Sequence, residues 1–82
     1  MSKVTKLIER FKNKPSDFSW EELVTMLFRL GFVSEQGSGS RVKFYNKKRD
    51  CLIQLHKPHP AKIIKKYIVK EVLLTLEREK LI

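Results

Sequence analysis

Two histidines stand close together in the segment His56-Lys57-Pro58-His59-Pro60. Histidine is the side chain whose ordinary pKa suits proton transfer near neutral pH. RNA can be cut without a metal ion when a base takes the proton of a 2′-hydroxyl group, an acid protonates the leaving 5′-oxygen and a cation stabilises the phosphate charge. His56, His59 and Lys57 supply groups of these kinds. A histidine in a loop is also commonly a structural or binding residue, so the sequence leaves both roles open.

The same segment is a poor metal site. Two imidazoles three residues apart need one or two further ligands, and only Cys51 and Asp50 lie nearby in the sequence. The lone cysteine excludes an internal disulfide and a multi-cysteine zinc site. The backbone N–H groups of Gly37-Ser38-Gly39-Ser40 could hold a phosphate, although the segment could also be a plain turn. The segment is not a P-loop, because it lacks the lysine and the spacing of that motif. We therefore expect neither a metal nor another cofactor.

The positive charge of the chain is concentrated in its second half. Residues 41–70 hold ten of the eighteen basic residues but one of the nine acidic residues, Asp50, so this segment carries the whole net charge of +9. Its basic residues are Arg41, Lys43, Lys47, Lys48, Arg49, Lys57, Lys62, Lys65, Lys66 and Lys70. Clustered cations attract polyanions, and nucleic acid is a common polyanion in cells. An acidic protein partner or an incidental bias of a solvated surface would be the alternatives.

The size and composition fit a single globular domain over residues 1–82. Apolar residues make up 41% of the chain, which is typical of a folded protein. No apolar run approaches the roughly 18 residues of a membrane span, and the N-terminus has no apolar core of a signal peptide. We therefore expect a cytoplasmic protein without a membrane association.

Periodicity predicts two helices before the basic segment. The first spans 3–12, where apolar residues recur at helical spacing, and Pro15 follows its end. The second begins at a capping box formed by Ser19 and Glu22, with Phe18 placed for the accompanying hydrophobic staple. Gly31 stands where a helix commonly ends with a left-handed residue.

Three short strands and a last helix follow. A strand begins at Phe32 and fades into the Gly-Ser segment, 41–45 and 51–55 alternate in the strand period, and a helix is predicted over about 67–79. Strands so short and close should pair as an antiparallel sheet, with the helices on one face. The sequence therefore predicts an α+β fold of α-α-β-β-β-α order.

The other face of this sheet is expected to be open. The period of two places Arg41, Lys43 and Tyr45 on it, and Leu52, Gln54 and His56 beside them. Cations hold phosphates and a tyrosine ring can stack on an unpaired base, so this mixture is typical of a nucleic-acid surface. The alternative is the ordinary exposed half of a sheet, where alternation always yields polar residues.

The order of these elements resembles the HicA family, the toxins of HicA–HicB toxin–antitoxin systems. The resemblance rests on Leu30-Gly31-Phe32-Val33, on Gly39-Ser40-Arg41-Val42-Lys43-Phe44-Tyr45, and on Pro58-His59-Pro60 before the last helix. It runs from about Ser19 to Ile82, with residues 1–16 as an N-terminal helical extension. It implies a fold like that of the double-stranded-RNA-binding domain, cleavage of messenger RNA, and a HicB-like antitoxin whose acidic residues complement the basic surface.

The chain departs from the family at one position that matters for chemistry. The typical member has Gly-Ser-His before the middle strand, and that histidine is catalytic, whereas here Arg41 follows Ser40. Arginine stays protonated at physiological pH and cannot act as a general base, although it binds phosphate well. Proton transfer could have moved to His56 or His59, the chain could bind RNA without cutting it, or Arg41 could replace a histidine and abolish toxicity. His59 matches the family's His-Pro element, and His56 has no equivalent there.

The resemblance and the charge pattern together define the candidate site. We expect Ser40, Arg41, Lys43, Tyr45 and Lys57 to contact RNA. If the chain is a metal-independent endoribonuclease, His59 or His56 should transfer the proton. A non-catalytic RNA-binding module is the alternative function.

Overall fold

The computed structural model describes residues 3–58 and 62–82 of the chain. Its elements are α1 (Lys3–Lys12), α2 (Trp20–Arg29), β1 (Phe32–Gln36), β2 (Arg41–Asn46), β3 (Cys51–His56) and α3 (Lys66–Arg78). The three strands form an antiparallel sheet in the order β1-β2-β3. The predicted α+β class and element order are confirmed, and the fold is consistent with the double-stranded-RNA-binding-domain type.

The start and end of α2 follow the local sequence signals. The N–H of Glu22 donates to Ser19 Oγ at 3.1 Å, and the N–H of Ser19 donates to Glu22 Oε1 at 3.0 Å, which confirms the capping box. Gly31 follows the helix with φ of +100°, a conformation that side chains with a Cβ rarely adopt. A Cβ at Gly31 would also lie 3.3 Å from the Asn46 amide nitrogen. Glycine therefore lets the chain turn closely against β2.

The sheet has one buried and one exposed face. On β2 and β3 the buried side chains alternate with exposed ones as predicted, and the buried apolar set consists of Val42, Phe44, Cys51, Ile53 and Leu55. These residues belong to one hydrophobic core with side chains from α1, α2 and α3. The helices thus cover one face of the sheet, and the other remains open.

Strand β2 extends one residue beyond the predicted 41–45, to Asn46. Asn46 is the last residue of β2, and its side chain is buried. Its Nδ2–H donates to the Leu30 carbonyl at 3.1 Å, and its Oδ1 accepts from the N–H of Arg49 at 3.1 Å. Because both the amide nitrogen and the amide oxygen of Asn46 are hydrogen-bonded, burying this side chain leaves neither atom without a partner. Asn46 thereby joins the end of α2 to the turn between β2 and β3.

Helix α1 is part of the core. Phe11 is fully buried, and its ring lies 5.0 Å from that of Phe18. Arg10 lies over the Phe18 ring at 5.2 Å and forms ion pairs with Asp17 and Glu22. Burial acts to raise the pKa of Glu22, but the Ser19 N–H and the Arg10 guanidinium lower it, and the net effect is a pKa below the ordinary value. The N-terminal segment is therefore packed and hydrogen-bonded against α2.

The segment before α3 is attached to the start of α2. The N–H of Trp20 donates to the Lys62 carbonyl at 2.8 Å, and the N–H of Ile64 donates to the Phe18 carbonyl at 2.9 Å. Ile64 is buried and so anchors the segment that leads into α3. Among the helices of the described residues, none has the length and apolar character needed to cross a membrane.

Candidate nucleic-acid interface

Four of the predicted site residues meet at one end of the β2–β3 pair. Arg41 begins β2 and His56 ends β3, and the two are directly opposed in the register. Ser40 precedes Arg41, and its carbonyl accepts a hydrogen bond of 2.8 Å from the N–H of Lys57. The ladder therefore continues one step past the strands and brings Ser40 and Lys57 to the same place. All four residues are exposed to solvent.

A side-chain hydrogen bond orients the histidine of this group. Ser40 Oγ and His56 Nδ1 lie 3.3 Å apart. Which of the two donates depends on the tautomer of the ring. When Nδ1 is occupied in this way, Nε2 is the nitrogen that can take or give a proton. Ser40 thus contacts one nitrogen of the His56 ring, a contact that the sequence did not indicate.

A groove runs over the open face next to this group. It has a volume of about 460 Å³ and is lined by Arg41, Lys43, Gln54 and His56, with Val42 and Leu55 beneath them. We call it the open-face groove. Two cations, an amide and an imidazole therefore surround a concave surface, which is a chemical environment suited to a phosphate and its ribose.

The sequence did not draw attention to an acidic residue on the same face. Glu35 of β1 is directly opposed to Lys43, and Gln54 opposes Lys43 from the other side. Glu35 is exposed. Cross-strand partners lie on the same face with Cβ atoms about 5 Å apart, so a carboxylate borders the cationic groove. The period of two along the strand that begins at Phe32 places Glu35 on this face, although the predicted site residues do not include it.

Tyr45 lies farther along the sheet, next to the β2–β3 turn. Its hydroxyl donates to Asp50 Oδ1 at 2.7 Å, and this hydrogen bond raises the pKa of the phenol. Its register partners Val33 and Leu52 flank it, so an apolar row crosses the three strands. The side chains are exposed by 60% for Val33, 37% for Tyr45 and 52% for Leu52. Tyr45 does not line the open-face groove but continues the same face beyond Lys43.

The basic residues of the 41–70 segment are exposed wherever the structure describes them, but they are not confined to the sheet. Arg41 and Lys43 lie on the open face, and Lys47, Lys48 and Arg49 form the β2–β3 turn. Lys62 and Lys65 precede α3, and Lys66 and Lys70 belong to it. The positive charge of the 41–70 segment is therefore divided among sheet, turn and helix.

The comparison with known protein families gives a match over residues 20–77. A family model described as the HicA toxin of bacterial toxin–antitoxin systems matches this segment, which is well over half of the chain. The chain belongs to the HicA toxin family. No curated protein and no solved structure matches it. Membership in the HicA family implies a HicB-type antitoxin as a partner.

The HicA match includes every predicted site residue and leaves α1 outside. His59 is one of the predicted site residues but lies outside the residues that the structure describes, so its role stays a prediction. Across 3–58 and 62–82, no three His, Cys, Asp or Glu side chains are grouped in a way that could hold a metal ion. Cys51 packs in the core, and its burial raises the pKa of the thiol.

Proposed function

We propose that this HicA toxin binds messenger RNA in the open-face groove. The opposition of Arg41 and His56 across β2 and β3, with Lys43 two residues along β2, is the observation that carries the proposal. Cations hold the phosphates by charge, and Lys57 adds a further positive charge at the same end. Because messenger RNA is found in the cytoplasm, we expect the protein to act there. We also propose that residues 1–82 act as one domain.

We further propose that RNA bound in the groove is cleaved without a metal ion. A base removes the proton of a 2′-hydroxyl, and the 2′-oxygen forms a bond to the adjacent phosphorus. The bond from phosphorus to the 5′-oxygen then breaks, and an acid protonates that oxygen. Nε2 of His56 is suited to one of these transfers, because Ser40 occupies Nδ1. His59 is the candidate for the other, and Arg41 stabilises the phosphate charge.

The alternative is an RNA-binding module that has lost cleavage. It is favoured by Arg41, which stands where the typical family member has its catalytic histidine and cannot accept a proton. In either case a HicB-like antitoxin with acidic residues would compete with RNA for the basic surface. A protein-interaction adaptor, by contrast, would show no salt-sensitive affinity for RNA.

Incubation of the purified protein with end-labelled messenger RNA separates these functions. A positioned general acid or base contributes about 10²- to 10⁴-fold, so His56→Ala should slow cleavage by that factor while leaving RNA retardation in a gel nearly unchanged. His59→Ala should behave in the same way. Lys6→Gln, an exposed change on α1, is the control and should cut like the wild type. Retardation without cleavage by the wild type would support the binding module, and absence of both would refute the proposal.

A further inference from the structure

A second cationic cleft lies at the opposite end of β2 from His56. Arg29 from the end of α2 and Lys47, Lys48 and Arg49 from the β2–β3 turn line it, together with the apolar side chains of Leu30 and Leu81. Its volume is about 730 Å³, and among the described residues no acidic side chain lines it. We call it the turn cleft. Four like charges converge there without a lining carboxylate, so the cleft attracts anions.

The shape of the turn cleft is fixed by hydrogen bonds between the Asn46 side chain and the backbone. The buried Asn46 side chain donates to the Leu30 carbonyl and accepts from the Arg49 N–H, so the end of α2 and the turn are joined. The acidic residue of the turn, Asp50, accepts a hydrogen bond from Tyr45 and is not among the lining residues. The cleft is therefore formed by the end of α2 and the β2–β3 turn, which Asn46 joins. The Asp50 carboxylate is hydrogen-bonded to Tyr45 instead of lining the cleft.

The turn cleft and the open-face groove lie at the two ends of one strand. Arg41 begins β2 and Lys47 directly follows it, and six steps of about 3.4 Å make a separation of about 20 Å along the strand. The exposed apolar row of Val33, Tyr45 and Leu52 lies on the open face beside the turn. The turn cleft lies on the helix side of the sheet, because the buried Asn46 and the core-packed Leu30 and Leu81 line it. Aromatic and apolar side chains can support unpaired bases, so a strand can cross the open face on this row and pass round the turn at the exposed Lys47 and Lys48 to reach the cleft.

We propose that the turn cleft is a second phosphate-binding site for the same RNA strand that occupies the open-face groove. This inference rests on the proposed RNA binding and adds a minimum RNA length to it. A stacked single strand advances about 3.4 Å per nucleotide, so the distance along β2 alone takes about six nucleotides and the passage round the turn adds to them. The apolar floor of Leu30 and Leu81 would contact the base or sugar of the nucleotide whose phosphate the turn cations hold.

The test compares a short and a long RNA by fluorescence anisotropy. Both RNAs carry 2′-O-methyl groups, which prevent attack by the 2′-oxygen, and their lengths are about four and about twelve nucleotides, below and above the required span. The variant is Lys47→Gln with Lys48→Gln. The control is Lys6→Gln with Lys12→Gln, which removes the same charge from exposed positions of α1 that do not line the cleft.

The double turn variant should lose about three- to tenfold in affinity for the long RNA at low salt. Its slope of log affinity against log salt should fall by about 1.4, since each lost phosphate contact accounts for about 0.7. The short RNA occupies one site at a time. The double turn variant should therefore lose no more than about twofold in its affinity for the short RNA.

If the long RNA loses no more affinity than in the control, the turn cleft does not hold RNA and the inference is wrong, although the proposed function stands. That result is also expected if the cleft holds an acidic protein segment. If the wild type binds neither RNA, the proposed function and this inference fail together.

Discussion

Glu35 provides a graded test of where RNA lies on the open face. Its carboxylate borders Lys43 across the β1–β2 pair, so a phosphate held by Lys43 is repelled by it. With a separation of about 7 Å in water, the unscreened repulsion is about 0.6 kcal/mol. Screening reduces this to about 0.5 kcal/mol at about 0.01 M salt and about 0.25 kcal/mol at about 0.15 M salt. Removal of this charge should therefore strengthen RNA binding, most clearly at low salt.

We expect Glu35→Gln to tighten RNA binding about twofold at low salt and about 1.5-fold at physiological salt. Glu35→Lys changes the charge by two, and it should tighten RNA binding about fivefold at low salt. Fluorescence anisotropy with a 2′-O-methyl RNA measures both. Glu9→Gln and Glu9→Lys make the same charge changes on an exposed position of α1. If the Glu9 variants gain as much affinity as the Glu35 variants, only net charge matters and the RNA does not lie beside Lys43.

Three further perturbations test the core, the cap and the missing histidine. Phe11→Ala removes a fully buried ring and should cost about 3–5 kcal/mol in the free energy of unfolding, measured by urea denaturation with Trp20 fluorescence. Glu22→Gln should destabilise the protein above pH 4.5 and reduce its acid sensitivity in the same assay, because a lowered pKa in the folded state gives stability that is lost as the pH falls through it. Arg41→His should strengthen growth arrest of a host that lacks the antitoxin, if the arginine has replaced a catalytic base.

Each of these predictions has an outcome that contradicts it. Lys12→Ala, an exposed change on α1, is the control for Phe11→Ala, and equal stability of the two variants would mean that α1 does not pack in the core. An unchanged acid midpoint in Glu22→Gln would mean that the lowered pKa of the carboxylate does not contribute to stability. Equal growth of hosts expressing Arg41→His and the parent would mean that a histidine at this position does not restore toxicity.

The sequence predicted the elements where local chemistry decides the structure. The capping box of Ser19 and Glu22 and the positive φ of Gly31 depend on residues next to one another, so their pattern was sufficient. The alternation along β2 and β3 likewise predicted which side chains face the helices. The last helix begins at Lys66 and ends at Arg78, each one residue earlier than expected.

Features that depend on contacts between distant segments could not be predicted in this way. Asn46 lies beyond the predicted strand 41–45, and its burial depends on the Leu30 carbonyl that only the folded chain brings to it. The hydrogen bond between Ser40 and His56 depends on the register of β2 with β3. The position of Glu35 beside Lys43 depends on the register of β1 with β2, which only the folded chain establishes.

The salt dependence of RNA binding tests the open-face groove most directly. The double variant Arg41→Gln with Lys43→Gln removes the two cations that line the groove. Its slope of log affinity against log salt should fall by about 1.4 relative to the wild type, and its affinity at low salt should fall more than in the Lys6→Gln, Lys12→Gln control. A slope and an affinity equal to those of the control would contradict RNA binding in the groove.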